Sequence, residues 1–182
     1  MNLFLLLLVF SILVTFSIAS FSAAPWVPVH TRDIGRILKL AAIAPGEIFV
    51  ELGSGDGRTL AAAAHAGARS IGFEISLLPY LISRVRFLFL SSKIRPRIFY
   101  KSFWSADLSQ ADVVYLFLMP KVGEKLVKKL RAELRPGARV ITYVWPLTGW
   151  TPEKTDVIQN QLALHLHVVP THSESLQVPP VS

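Results

Sequence analysis

The sequence predicts an α/β fold in which helices cover an open, mostly parallel β-sheet. Short apolar runs alternate with helix-length segments, which is typical of parallel strands joined by helical crossovers. The runs are apolar throughout, as expected for strands buried on both faces. With 182 residues and 52% apolar content, the chain can form one packed domain. We place this domain at residues 26–170, between an N-terminal segment at 1–25 and a Pro- and Ser-rich tail at 171–182 that we expect to be mobile.

The first element is an apolar segment at residues 3–24, which contains no charged residue. As a helix it would be about 33 Å long, enough to cross the hydrocarbon core of a bilayer. A cleaved secretory signal peptide is the alternative, but no Lys or Arg precedes the segment, and cleavage after Ala24 would leave Pro25 at the new terminus. We therefore expect one N-terminal transmembrane helix that anchors the chain in the lipid bilayer.

Charged residues indicate where the domain lies. Arg32, Arg36 and Lys39 follow the apolar segment and no basic residue precedes it, so the domain is expected on the cytoplasmic side, at a bacterial inner membrane in preference to a mitochondrial one. The formal charge of +7 favours contact with anionic lipid, and no nucleic-acid-binding motif is present. The chain has no Cys and its five His lack metal-ligand spacing, so we expect neither disulfides nor a metal site.

The domain begins with a helix. Ile34, Ile37, Leu38 and Ala41 recur at helical spacing, and Thr31 is expected to cap the helix N-terminus. The elements after it follow from the same periodicities. Strands are predicted at residues 47–52, 70–74, 97–100, 112–118 and 139–145, helices at 58–66, 77–90 and from about 122 to 134, and a closing antiparallel hairpin at 155–159 and 162–169.

The predicted helix at residues 77–90 is apolar on most sides and carries Arg84 and Arg86. Such a helix is usually buried, and we expect burial here. A position on a membrane surface is the alternative.

A glycine-rich loop follows the first predicted strand, in the stretch Glu51-Leu-Gly-Ser-Gly-Asp-Gly. Gly53, Gly55 and Gly57 allow positive φ and leave the backbone amides open to a ligand. The spacing differs from the G-x-G-x-x-G turn that binds dinucleotide pyrophosphate. Glu51 and Asp56 would repel a pyrophosphate, whereas their charge suits the ammonium and sulfonium groups of S-adenosylmethionine.

Glu74 ends the second predicted strand, 17 residues beyond the last glycine of the loop. A carboxylate at that position can accept hydrogen bonds from both hydroxyls of a ribose. NAD-binding proteins share this feature, so Glu74 indicates only that the ligand contains a ribose. The acidic residues of the loop favour S-adenosylmethionine over NAD.

These motifs resemble those of class I S-adenosylmethionine-dependent methyltransferases. The likeness extends from V-P-V-H-T, before the first helix, through S-F-W-S-A-D-L-S-Q-A-D-V-V-Y-L-F-L-M-P to E-L-R-P-G-A-R-V-I-T-Y-V-W-P. Together with the apolar N-terminus, the chain is similar over residues 26–170 to small membrane-anchored protein-lysine methyltransferases of mitochondria and their prokaryotic relatives. The resemblance implies a Rossmann-like sheet and S-adenosylmethionine as cofactor.

The resemblance also implies site residues. Ser102 stands where the family usually has an Asp that faces the adenine, and Val29 where it usually has Thr. No catalytic acid or base is expected, because methyl transfer from a sulfonium needs mainly alignment and exclusion of water. The residues expected to bind cofactor are Glu51, Gly53, Ser54, Gly55, Asp56, Gly57, Glu74, Ser102 and Phe103, and those expected near the acceptor are Tyr115, Met119 and Pro120.

The expected function is therefore methylation of lysine in a membrane-associated protein by a membrane-tethered enzyme. A lipid, a quinone or another small molecule is the alternative acceptor, since the apolar segment at 77–91 could serve such a substrate. A non-catalytic nucleotide-binding module is the third alternative, because a fold and a cofactor loop do not by themselves establish activity.

Overall fold

The computed structural model describes residues 2–3, 5–7, 9–11, 14 and 27–171. Much of the predicted anchor, and all but the first residue of the predicted tail, lie outside the described residues. Within the described part of the chain, no helix combines the length and the apolar character that crossing a bilayer requires. The anchor therefore stays a prediction.

One seven-stranded sheet organises the domain, in the order β3-β2-β1-β4-β5-β7-β6. The first five strands are parallel, and β7 pairs antiparallel with both β5 and β6, which confirms the predicted parallel sheet with a closing hairpin. The strand order reverses between β1 and β4, where the loops after these strands diverge and open a crevice. The strands are β1 Ile48–Leu52, β2 Arg69–Glu74, β3 Arg97–Tyr100, β4 Val113–Leu116, β5 Arg139–Tyr143, β6 Lys154–Asp156 and β7 Leu164–Val168.

Four helices cover the two faces of the sheet. Alternate residues of each strand point to opposite faces, so Phe49 packs in one core cluster and its neighbour Val50 in the other. The first cluster contains apolar residues of α1, α2 and α3, and the second contains those of α4. The helices are α1 Thr31–Ala41, α2 Arg58–His65, α3 Leu77–Leu88 and α4 Gly123–Glu133.

The predicted capping role of Thr31 is wrong. Thr31 is the first residue of α1, and His30 occupies the capping position without a side-chain hydrogen bond to the helix. The His30 carbonyl instead accepts a hydrogen bond from the Asp33 amide at 2.9 Å. Asp33 is fully buried in the first turn, so α1 is positioned by tertiary contacts at its N-terminus.

The predicted burial of the helix at 77–90 is also wrong. Helix α3 ends at Leu88 and buries only Pro79, Ser83 and Phe87. It packs against β2 and the edge strand β3, and the residues on its outer side are exposed. Periodicity could not show this, because a helix at the edge of a sheet has a protein neighbour on one side only.

Candidate functional site

The crevice at the reversal of strand order contains a cavity. It lies at the carboxyl ends of β1, β2 and β4, and residues 27–29 form part of its wall. Of the predicted site residues, the structure brings nine together around it. These are Glu51, Gly53, Ser54, Gly55, Asp56, Glu74, Ser102, Phe103 and Tyr115.

Gly57, Met119 and Pro120 do not line the cavity. Met119 is 39% exposed and precedes a short 3-10 turn at Pro120–Val122, beyond the end of β4. The prediction extended β4 to Leu118, whereas the strand ends at Leu116. The wall beyond the strand end is formed by Phe117 and Leu118, which the sequence had assigned to the strand itself.

The three loop glycines all have positive φ, but the structure gives them different surroundings. A Cβ on Gly53 would meet its nearest neighbour, the Leu118 side chain, at an ordinary 3.4 Å. A Cβ on Gly57 would lie 2.6 Å from the Phe87 ring and 2.9 Å from Ser83 Cβ, both in α3. The absence of a side chain at Gly53 therefore enlarges the cavity, whereas the absence of one at Gly57 allows the loop to pack closely against α3.

The Glu74 carboxylate holds the glycine-rich loop by hydrogen bonding to its backbone. It is buried, and its Oε2 accepts a hydrogen bond from the Gly55 amide at 2.8 Å, while Oε1 accepts one from the Ser76 amide at 2.7 Å. Each carboxylate oxygen retains a further lone pair. Glu74 thus joins the glycine loop to the start of α3. Its carboxylate can still accept the hydrogen bonds from a ribose that the sequence predicts.

Asp56 is paired with two guanidinium groups. Its Oδ2 lies 2.6 Å from Arg58 Nη2 and 2.9 Å from Arg86 Nη2. Burial opposes ionisation, but the hydrogen bonds and the positive charges of Arg58 and Arg86 outweigh it and hold the pKa of Asp56 below its ordinary value. Arg58 also donates to the Val29 carbonyl at 3.0 Å, so this cluster holds the wall segment against the loop.

Glu51 and Tyr115 form the polar floor of the cavity. They are register partners on β1 and β4, and both are at most 5% exposed. Glu51 Oε2 and the Tyr115 hydroxyl have no hydrogen-bond partner within the described part of the chain. Burial, together with the charge of Asp56, raises the pKa of Glu51 well above its ordinary value, and burial likewise raises the pKa of Tyr115. A buried carboxyl oxygen without a partner is expected where a ligand supplies one.

Residues after β3 also line the cavity. Ser102 Oγ accepts a hydrogen bond from the Trp104 amide at 3.3 Å and caps a 3-10 turn at Phe103–Ser105. The Phe103 and Trp104 rings contact each other at a centroid distance of 4.7 Å. Phe103 is buried in the core, so its side chain both packs and lines the cavity. Over the described residues, no group of His, Asp or Glu has the arrangement of a metal site.

Comparison with known proteins identifies the family. The family model of the ANTKMT methyltransferase domain matches residues 51–154, which include the loop, the cavity floor and β4. The chain belongs to this family. The resemblance to small protein-lysine methyltransferases is thereby confirmed, and the matched range includes every residue that lines the cavity except 27–29.

Two relatives show how far this likeness extends. The adenine nucleotide translocase lysine N-methyltransferase of Mus musculus is 36% identical over 131 residues, covering 70% of this chain and 56% of the relative. The chain thus spans little more than half of that protein. A protein-lysine N-methyltransferase of Saccharolobus islandicus (strain REY15A) is 30% identical over 158 residues, covering 81% of this chain and 95% of the relative.

Solved structures share the same architecture. An RNA methyltransferase from Salinibacter ruber, crystallised with S-adenosyl-L-homocysteine, aligns with a TM-score of 0.76 and 29% identity over 80% of this chain and 95% of its own. Magnesium protoporphyrin IX methyltransferase from Synechocystis PCC 6803 aligns with a TM-score of 0.62 at 14% identity and supports the fold only. The Rossmann-like methyltransferase fold expected from the sequence is confirmed.

Proposed function

We propose that this ANTKMT methyltransferase domain transfers a methyl group from S-adenosylmethionine to the side-chain amine of a protein lysine. The observation that carries the proposal is the buried Glu51 carboxyl, whose Oε2 has no partner within the described residues, on the floor of a cavity built on the family's glycine loop. The Saccharolobus islandicus relative, matched over nearly its whole length, is a protein-lysine N-methyltransferase, which supports the same acceptor class.

The residues present fit this cofactor. Glu51 offers a buried carboxyl whose ionised form a ligand cation would favour. Gly53 leaves open space beside the loop, and Glu74 holds the loop in place with a carboxylate that can accept further hydrogen bonds. Phe103 supplies an apolar face in the cavity wall. When bound there, S-adenosylmethionine supplies an electrophilic methyl group on a sulfonium. Gly55, Ser54 and Ser102 would complete its binding surface.

The same cavity suits an amine acceptor. Phe73, Phe117 and Leu118 line it, and such apolar walls disfavour the charged form of an entering ammonium and lower its pKa. The Tyr115 hydroxyl has no partner within the described part of the chain and can accept a hydrogen bond that orients a neutral amine. Water exclusion and alignment then account for most of the rate enhancement that the chain must supply.

The proposal includes a membrane-associated acceptor. An uncharged stretch at residues 3–24, with basic residues after it, supports a bilayer anchor with the domain on the cytoplasmic side. An enzyme tethered in this way meets membrane proteins at a high effective concentration.

The test is transfer of labelled methyl from S-adenosylmethionine by the full chain, incubated with membrane and soluble fractions that lack the activity. We expect label in precipitable protein of the membrane fraction, released as N-methyllysine on hydrolysis. The Glu74→Ala variant, which removes the carboxylate that holds the loop, should reduce transfer at least tenfold, about 1.4 kcal/mol. The matched surface variant Glu124→Ala should retain it.

The other acceptors give distinct results in the same experiment. Label in RNA would favour an activity like that of the Salinibacter ruber protein, and label in the organic phase a small-molecule acceptor. Either result would contradict lysine methylation. Absence of label in every fraction, with cofactor binding retained, would favour the non-catalytic alternative.

A further inference from the structure

The outer side of α3 is an exposed apolar stripe. Leu78, Leu81, Val85 and Leu88 lie three or four positions apart, so they share the face opposite the buried side of the helix. Phe89 is the C-cap residue, directly after Leu88. Leu88 is 70% exposed and Phe89 is 81% exposed, which are unusual values for large apolar side chains. The stripe consists of Leu78, Leu81, Val85, Leu88 and Phe89.

The neighbouring strand extends this surface. β3 is the edge strand of the sheet and packs beside α3. Tyr100 on β3 is 46% exposed, and its ring contacts that of Tyr80 on α3 at a centroid distance of 5.2 Å. We call the five stripe residues, together with the exposed Tyr100 on the neighbouring strand, the α3 face.

The α3 face lies in the most basic part of the chain. Residues 75–106 contain six basic side chains and no acidic one, against a formal charge of +7 for all 182 residues. Arg84 and Arg86 flank the stripe on its two sides. Arg86 is paired with Asp56, whereas Arg84 and Lys93 are exposed. The six are Arg84, Arg86, Lys93, Arg95, Arg97 and Lys101.

We infer that the α3 face docks onto the surface of a bilayer that contains anionic phospholipid. A helix with an apolar stripe between flanking cations is the arrangement that lies in a membrane interface, with aliphatic and aromatic side chains among the acyl chains and the cations at the headgroups. Charge complementarity selects this occupant. A second copy of the chain would bring its own exposed cations against those of the first copy, and the repulsion would oppose association.

Docking of the α3 face places the cavity at the membrane surface. Ser76 precedes α3 and Lys101 follows β3, and both line the cavity. The N-terminal end of the α3 face therefore lies beside the cavity. This inference concerns the orientation of the domain and does not depend on its methyltransferase activity.

The absence of Cys allows a direct test in the full chain. Leu88→Cys carries an environment-sensitive fluorophore, and Val157→Cys carries the same fluorophore as the control. Val157 is 71% exposed and lies just after β6, at the opposite edge of the sheet. Each protein is mixed with phosphatidylcholine vesicles with or without phosphatidylserine, with a lipid that carries a quencher in its acyl chain.

With vesicles that contain phosphatidylserine, we expect the emission of the label at position 88 to shift to the blue and to be quenched several-fold more than that of the label at position 157. With vesicles that lack phosphatidylserine, we expect the label at position 88 to be quenched only weakly. Reversal of two exposed cations in Arg84→Glu/Lys93→Glu should reduce the quenching several-fold. Lys128→Glu/Lys154→Glu, which changes the net charge equally but lies away from the α3 face, should not. The comparison holds even if residues 3–24 bind both kinds of vesicle, because the two labels then share the same anchor.

Four results would overturn the inference. Equal quenching at the two positions, or equal quenching with and without phosphatidylserine, would show that the α3 face does not contact anionic lipid. A blue shift without vesicles that is independent of protein concentration would show that another part of the chain covers the face. A blue shift without vesicles that grows with protein concentration would show that a second copy covers it.

Discussion

Glu51 shows how a single residue connects the sheet to its ligand. The side chain is inside the domain because β1 is central and buried on both faces, yet one carboxyl oxygen has no partner in the described structure. Burial raises its pKa well above the ordinary value, so the free protein holds this carboxyl protonated at a pH below that raised value. A cationic ligand beside it would favour the ionised form.

This coupling predicts proton release on binding of S-adenosylmethionine. Calorimetric titrations in two buffers of different ionisation enthalpy should show release of a proton by the wild type. Glu51→Gln, which keeps shape and neutrality, should abolish the release and weaken binding about tenfold to a hundredfold, or about 1.4 to 2.8 kcal/mol. The surface variant Glu124→Gln should behave as the wild type. Unchanged proton release in Glu51→Gln would show that another group titrates.

Helix α1 illustrates the element scale, because an ionic network replaces the missing cap. Arg36 lies 2.9 Å from Asp33 Oδ1 and 3.0 Å from Asp156 Oδ2, and the Tyr143 hydroxyl donates to Asp33 Oδ2 at 2.6 Å. Burial opposes ionisation of Asp33, but the hydrogen bonds from Tyr143 and Arg36 outweigh it and lower the pKa of the carboxyl. The network joins α1 to the antiparallel edge of the sheet, and α1 in turn carries residues 27–29 to the cavity.

Removal of the central cation should therefore destabilise the domain. Arg36→Met leaves Asp33 buried with one partner, and we expect the free energy of unfolding to fall by about 3 kcal/mol. Arg32→Met, one turn earlier and exposed, should cost less than about 1 kcal/mol. Urea unfolding followed by tryptophan fluorescence measures both. Equal losses in the two variants would mean that the network contributes no more than a surface contact.

At the scale of the whole molecule, His167 makes stability depend on pH. It is fully buried on β7, and its Nε2 accepts a hydrogen bond from the Leu147 amide at 3.4 Å. Burial, with a smaller contribution from neighbouring His165, lowers the pKa of His167 to about 4 from an ordinary value of 6.5. Between these two values the unfolded chain binds a proton that the folded chain does not, so stability rises with pH through this window and is lost as pH falls.

The expected loss from this residue is about 3 kcal/mol at most on going from pH 7 to pH 4. His167→Gln keeps an acceptor for the Leu147 amide but does not titrate. Urea unfolding at several pH values should therefore show a shallower pH dependence in the variant between about pH 4 and 6.5. Parallel curves for the two proteins would assign the pH dependence to other groups.

The sequence by itself determined the fold class, the order of strands and helices along the chain, and the loop that identifies the family. These features rest on local information: apolar runs bounded by turn residues, and glycines where the backbone takes positive φ. The predicted strands also placed Glu51 and Glu74 at one end of the sheet, because the carboxyl ends of parallel strands share an edge, and the family resemblance added Ser102.

Only the tertiary structure decided what each of these residues contacts. Gly57 packs against Phe87, the wall of the cavity includes Val29 held by Arg58, and α3 exposes the apolar side that its composition assigned to the core. Each outcome depends on which element lies beside another across a long separation in sequence. Periodicity reports that a residue is apolar and on which face of its own helix it lies, but burial depends on whether a second layer covers that face, and at the edge of this sheet none of the described residues does.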